Sequence, residues 1–86
     1  MNSAHDRFAC PCCGFLTRPR EVPGSFAICP VCRWEDDNLQ FADPTYASGA
    51  NRISLNEAKE NYAACGAKSR DAVSHARPPL PSERPE

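Results

Sequence analysis

Two stretches decide the fold: Cys10-Pro11-Cys12-Cys13-Gly14 and Cys29-Pro30-Val31-Cys32-Arg33-Trp34-Glu35-Asp36-Asp37. The end cysteines of each turn are spaced C-x2-C, with fifteen residues, 14 to 28, between the pairs. That spacing is the four-cysteine metal pattern. Two sulfurs at i and i+3 reach one ion at ~2.3 Å if the chain makes a tight knuckle between them, and two knuckles complete a tetrahedron. Proline after the first cysteine presets each turn. Gly14 relieves the close backbone approach past the first knuckle, where Arg33 holds the matching place in the second. The ligand set is therefore Cys10, Cys13, Cys29 and Cys32, holding one structural Zn2+. Iron in the same four sulfurs is the second choice and would make the chain a rubredoxin-like electron carrier. Cys12, vicinal to Cys13, is left as a neighbour able to substitute as ligand or to oxidise, and Cys65 reads first as a buried free thiol on an apolar helix face, with an additional ligand or redox thiol as the alternative.

The link between the knuckles reads as a hairpin. Phe15-Leu16-Thr17 leaves the first knuckle, Pro23-Gly24 suits the centre of a type II turn, and Ser25-Phe26-Ala27-Ile28 returns to the second.

Composition explains why a staple is needed. The chain has 86 residues and 9.4 kDa, of which 41% are apolar and 8% aromatic. A core of this size supplies little net stability, and small scaffolds add disulfides, a metal or a partner. No apolar run approaches the ~20 residues that span a bilayer, so no membrane segment is expected. The first nine residues lack the apolar region of a secretory signal, which points to the reducing cytoplasm and to metal binding over disulfides. The alternative is a disulfide-stapled secreted domain.

The formal charge of -1 is unevenly distributed. Residues 1 to 33 carry four basic and two acidic side chains, residues 34 to 66 two basic and six acidic, and residues 67 to 86 four basic and three acidic. The middle segment is thus strongly acidic. No stripe of Lys and Arg stands ready to neutralise phosphates, which argues against a nucleic-acid partner.

Residues 1–7 read as a flexible N-terminus, 8–66 as the cysteine-rich zinc-binding module, and 67–86 as an extended or disordered Pro-rich tail. A helix is predicted from Ser54, which with Glu57 forms a capping-box pattern, to Gly66, a left-handed stop. Leu55, Ala58, Tyr62 and Cys65 form its apolar stripe. Pro78, Pro79, Pro81 and Pro85 crowd the tail, and Arg77-Pro78-Pro79-Leu80-Pro81 contains a P-x-x-P step whose plainer reading is a strap over the domain or a disordered end.

Outside the cysteines, Trp34, Glu35, Asp36 and Asp37 form the most suggestive cluster, with Asn51 as a polar partner. One reading is a hard-cation site or acid/base centre of a metal-dependent hydrolase. The favoured reading is structural: Trp34 covers the hairpin, and the acids stabilise a short helix through Leu39-Gln40-Phe41 and neutralise Arg18, Arg20 or Arg52. Neither histidine, His5 or His75, lies near a candidate nucleophile.

Cys10-Pro11-Cys12-Cys13-Gly14-Phe15-Leu16-Thr17, Pro23-Gly24-Ser25, Ile28 to Cys32 and Trp34-Glu35-Asp36-Asp37 together resemble the bacterial cysteine-rich CPCC family, as do Asp43-Pro44, Asn51, Ser54-Leu55, Glu57-Ala58, Asn61, Gly66-Ala67 and Arg77-Pro78-Pro79. The resemblance covers nearly everything after Ala9. It implies a small bacterial protein and no particular activity. The chain departs from the family pattern at Arg33, where members carry an aromatic residue, and at Lys68, where they carry a cysteine; here a cysteine precedes Gly66 instead.

These observations converge on a small α+β metal-stabilised module: a rubredoxin-like or zinc-ribbon two-knuckle β-hairpin packed on one or two short helices by Phe15, Phe26, Ile28, Trp34, Leu55 and Tyr62. The expected function is that of a non-enzymatic cytoplasmic interaction factor, immunity- or antitoxin-like, which offers an acidic surface from Trp34 to Asp37, extending to Glu57 and Glu60, to a protein with a basic surface. The alternatives are a nucleic-acid-associated zinc ribbon, an electron carrier, and a metal-dependent hydrolase.

Overall fold

Each cysteine knuckle forms the tip of its own short hairpin. In the computed structural model, which describes residues 7–85, strand β1 (Phe8–Ala9) pairs antiparallel with β2 (Leu16–Arg18) around the first knuckle. Residues 1–6 of the expected N-terminal tail, His5 among them, lie outside the described residues. Around the second knuckle, Ile28 bridges Glu35, the Phe26 N–H donates to the Asp36 carbonyl at 2.9 Å, and the Asp36 N–H to the Ala27 carbonyl at 3.0 Å.

The two knuckles are near copies, 19 positions apart in the chain. The Cys10 N–H donates to the Phe15 carbonyl (2.8 Å) and the Gly14 N–H to the Cys10 carbonyl (2.8 Å); the Cys29 N–H donates to the Trp34 carbonyl (2.9 Å) and the Arg33 N–H to the Cys29 carbonyl (2.8 Å). Both turns close through a left-handed residue, Gly14 at φ 84° and Arg33 at φ 75°. Glycine takes that conformation without steric cost, whereas arginine pays for it.

The pairing corrects one expectation. The fifteen-residue link is not itself a hairpin about Pro23-Gly24, because its two ends pair outward, to β1 and to the Glu35-Asp36 stretch, instead of with each other. The link is held by side chains. Arg18 Nε donates to the Ala9 carbonyl, its Nη1 to the Glu21 carbonyl, and its guanidinium lies 5.8 Å from the Phe41 ring centre.

Helix α1 (Asn38–Ala42) starts at Asp37, whose side chain accepts from the Leu39 and Gln40 N–H groups. Helix α2 (Leu55–Cys65) has the bounds its sequence predicts, with half of the capping box: the Ser54 hydroxyl accepts from the Glu57 N–H at 3.1 Å without the return bond from the Glu57 side chain, and Gly66 ends the helix at φ 82°. Between the helices, a loop without regular structure is organised by the wholly buried Gln40. Its Nε2 donates to the carbonyls of Tyr46 (2.8 Å) and Ile53 (2.7 Å), and its Oε1 accepts from the Asn51 N–H (3.2 Å) and Nδ2 (2.9 Å).

The core joins Cys10, Cys12, Cys29, Val31, Cys32, Trp34, Leu55 and Ala58, with Cys13, Phe15, Ile53 and Tyr62 packed on its edge. Two members of the expected core are absent from it: Phe26 and Ile28 are about half exposed, at 50% and 49%. Phe26 also sits in the left-handed region at φ 58°. A second difference concerns the tail. In place of an extended or disordered segment, residues 70–75 form two turns of 3-10 helix and 81–83 one. The chain from Lys68 to Arg77 backs the second knuckle, with the Lys68 N–H on the Cys32 carbonyl (2.8 Å) and the Arg77 N–H on the Val31 carbonyl (3.2 Å). Arg77 and Glu83 then close the end with a two-point ion pair of 2.9 and 2.7 Å. The whole is a small α+β structure with one two-stranded sheet and two short helices around clustered cysteines.

Candidate metal centre

Folding two knuckles against each other gathers Cys10, Cys13, Cys29 and Cys32, whose sulfurs all lie within 4.8 Å of one another. Two contacts run between knuckles: Cys10 Sγ to Cys32 Sγ is 3.6 Å and Cys13 Sγ to Cys29 Sγ is 3.7 Å. Four sulfurs ~2.3 Å from a central ion would have tetrahedron edges of about 3.8 Å. The arrangement therefore fits a tetrathiolate metal, and it is far too open for disulfides, which need ~2.05 Å. All six cysteines are free.

The four thiols shift one another's ionisation. The Cys13 contact pulls the Cys10 thiol below the ordinary range, and the Cys10 contact does the same to Cys29. Cys13 and Cys32 are pushed up, the contact with Cys10 leading in both. Thiols this close share protons because several thiolates together repel one another unless a cation joins them. Tyr62, at the edge of the cluster, has its phenol pushed up first by burial and then by the cysteine charges. One further group reaches a sulfur: Thr17 Oγ1 lies 3.0 Å from Cys29 Sγ.

The other two cysteines stand apart. Cys12 is buried, and its thiol donates to the Ala58 carbonyl of α2 at 3.5 Å, stitching the first knuckle to the helix. Cys65 is half buried and points to the Ala67 carbonyl at 3.8 Å. Neither is among the four gathered sulfurs.

The acidic run is the main correction. Trp34, Asp36 and Asp37 are buried and Glu35 is half buried, so Trp34 to Asp37 is no acidic docking face. Asp37 is consumed by backbone: Oδ1 caps α1, and Oδ2 accepts from the Ala50 N–H at 2.9 Å. Burial opposes its charge, but the N–H groups of Ala50, Gln40 and Leu39 outweigh burial and hold its carboxyl below the usual carboxylate range. Asp36 Oδ2 accepts from the Ser25 N–H (3.1 Å) and hydroxyl (2.7 Å) and so clamps the link. Asn51 meets the run through backbone, accepting from the Glu35 N–H (2.8 Å) and donating to its carbonyl (2.9 Å), while Lys68 Nζ donates to Asn51 Oδ1 at 3.0 Å. Among the described residues, Arg77–Glu83 is the one ion pair, so these acids do not neutralise Arg18, Arg20 or Arg52. Trp34 Nε1 and Asp36 Oδ1 have no protein partner, and both residues line a cavity of about 10 Å3 beside Cys10, Thr17 and Cys29.

Sequence reasoning missed two contributors. Gln40 hides between Leu39 and Phe41, whose exposure inverts the usual pattern. Thr17 had one usable signal: it stands seven residues after Cys10, as Asp36 stands seven after Cys29.

Compared with known proteins, residues 8–83 match the family model described as Cysteine-rich CPCC. No curated protein matches the chain.

Proposed function

Because the chain belongs to the cysteine-rich CPCC family and gathers the sulfurs of both knuckles at tetrahedral spacing, we propose that it is a module held together by one structural zinc ion on Cys10, Cys13, Cys29 and Cys32. The observation that carries this reading is the pair of inter-knuckle contacts at 3.6 and 3.7 Å. Once bound, the ion would supply electrostatic glue: its double charge offsets half of that on the four thiolates and ties the two hairpins, and a tetrathiolate offers no open position for substrate. The topology in this reading is that of a zinc ribbon or rubredoxin.

The module acts as a non-enzymatic interaction factor of the bacterial cytoplasm. Burial of Asp36 and Asp37 moves the acidic docking surface to α2, where Glu57 and Glu60 are exposed and suit a basic protein partner, as in an immunity or antitoxin protein. A native mass spectrum of the purified chain tests the metal. One zinc per chain in a colourless preparation is expected; a metal-free folded chain, or a red iron protein with charge-transfer bands, overturns it. Loss of a co-purified basic partner on reversing Glu57 and Glu60 to lysine tests the docking surface.

A further inference from the structure

We propose that Thr17 is a positioning residue for the metal, its hydroxyl donating to the Cys29 sulfur and making that sulfur the anchored member of the four; this rests on the zinc reading above. Thr17 and Cys29 are both buried, at 8% and 6% exposure, with Oγ1 and Sγ 3.0 Å apart. A metal-bound cysteine has lost its proton, so the hydroxyl is the donor. The hydroxyl has no other hydrogen-bond partner among the described residues. A valine would fill the same volume in a strand without bringing a polar atom that must be satisfied.

The backbone is bent to make this contact. Phe8 pairs with Arg18 and Ala9 with Leu16, which leaves Thr17 as the extra residue of a β-bulge. Bulges re-aim a side chain at the expense of regular pairing. The second hairpin carries its irregularity on the other strand: the Phe26 N–H donates to the Asp36 carbonyl and the Asp36 N–H to the Ala27 carbonyl, so the extra residue there is Phe26, at φ 58°, and not the counterpart of Thr17. Asp36, the counterpart of Thr17, spends its Oδ2 on Ser25 and gives no cysteine a hydrogen bond. The bulge therefore breaks the near-symmetry of the site at the residue that touches sulfur. A donated hydrogen bond draws charge from the thiolate and lowers its nucleophilicity. Cys29 is capped in this way, whereas Cys13 is the one half-buried member of the set. An electrophile thus meets Cys13 first, and Thr17 keeps Cys29 on the metal.

The test uses the full chain loaded with zinc or Co2+, with Thr17→Val and Thr17→Ser beside wild type. Iodoacetamide is the probe: the thiolate forms a bond to its carbon, iodide leaves with the electron pair, and digestion maps each alkylated cysteine. Thr17→Val should speed alkylation of Cys29 by about tenfold, the factor equivalent to ~1.4 kcal/mol, while Cys13 changes less than about twofold. The sulfur-to-cobalt charge-transfer band should move to longer wavelength, and Thr17→Ser should restore both readouts. Unchanged Cys29 reactivity and an unchanged band overturn the inference alone. Equal acceleration at all four cysteines also overturns it, since that is a general loosening. A wild-type chain that takes up neither ion overturns the zinc reading and this inference with it.

Discussion

Replacing Gln40 with leucine removes a hub of the fold at nearly constant volume. The side chain is fully buried and makes four hydrogen bonds, to the carbonyls of Tyr46 and Ile53 and from the main-chain and side-chain amides of Asn51. At roughly 1 kcal/mol net per bond the loss is about 4 kcal/mol. The penalty for stranding two carbonyls and two N–H groups adds to this, and the greater apolarity of leucine offsets part of it. A chain of this length has only about 4–13 kcal/mol of stability in total. Gln40→Leu should therefore shift the urea midpoint of the zinc-loaded protein down by roughly 4 M, taking a slope of ~1 kcal/mol/M. Hydrogen exchange should rise first in residues 43–53, the loop that Gln40 organises, and only afterwards around the knuckles. A midpoint within about 0.5 M of wild type would refute the reasoning, because it would mean that the four bonds are replaced by water at no cost.

Three other outcomes follow from the same structure. Cys29→Ser should lose metal and its cooperative thermal transition together, whereas Cys12→Ala and Cys65→Ala should each retain one metal by native mass spectrometry, with Cys12→Ala less stable because its core position empties. Arg33→Gly should stabilise the protein by about 1 kcal/mol, since it relieves a left-handed arginine, and Gly14→Ala should cost a similar amount at the matching turn, where backbone strain is the only penalty because a Cβ there meets nothing within 4 Å; chemical denaturation reads both. Asp37→Asn keeps an oxygen for the cap but puts an NH2 where Oδ2 accepts from the Ala50 N–H, and should cost about 1–2 kcal/mol at neutral pH. The Asp37 carboxyl is depressed in the folded chain, so its contribution is complete above the unfolded value of ~3.9 and is lost as pH falls through the lower folded value. The stability gap between wild type and Asp37→Asn should accordingly begin to close below about pH 4 in paired urea titrations.

The two knuckles, helix α2 and its caps were legible because each is specified by local chemistry: the C-x2-C spacing, the Ser54 hydroxyl and the left-handed Gly66 act within a few residues. The strand pairing was not. Phe15 to Thr17 and Ser25 to Ile28 looked like partners because a Pro-Gly step lies between them, yet each found a better partner across its own knuckle, where the turn was already closed. The acidic run misled because charge in a sequence says nothing of backbone N–H groups brought in by other segments. Ser25 and Ala50 come from 11 and 13 residues away to occupy Asp36 and Asp37. Asn51 lies against this run, but it meets Glu35 through the main chain and not through the carboxylate. Gln40 lay beyond reach for a related reason: a buried polar side chain reveals itself only through the groups it satisfies, and Gln40 had no matching position in the other knuckle of the kind that marks Thr17.

The near-copied knuckles also have a consequence in time. Each supplies two sulfurs, and two do not make the closed site, so a chain emerging from the ribosome carries Cys10, Cys12 and Cys13 in the open until Cys29 and Cys32 follow 19 positions later. At about 5–20 residues per second that interval is roughly 1–4 s. During synthesis the first knuckle is a bare cluster of three thiols, available to any soft metal or oxidant in its surroundings. The 19-residue interval thus sets how long every newborn copy is exposed before its own second half arrives to protect it.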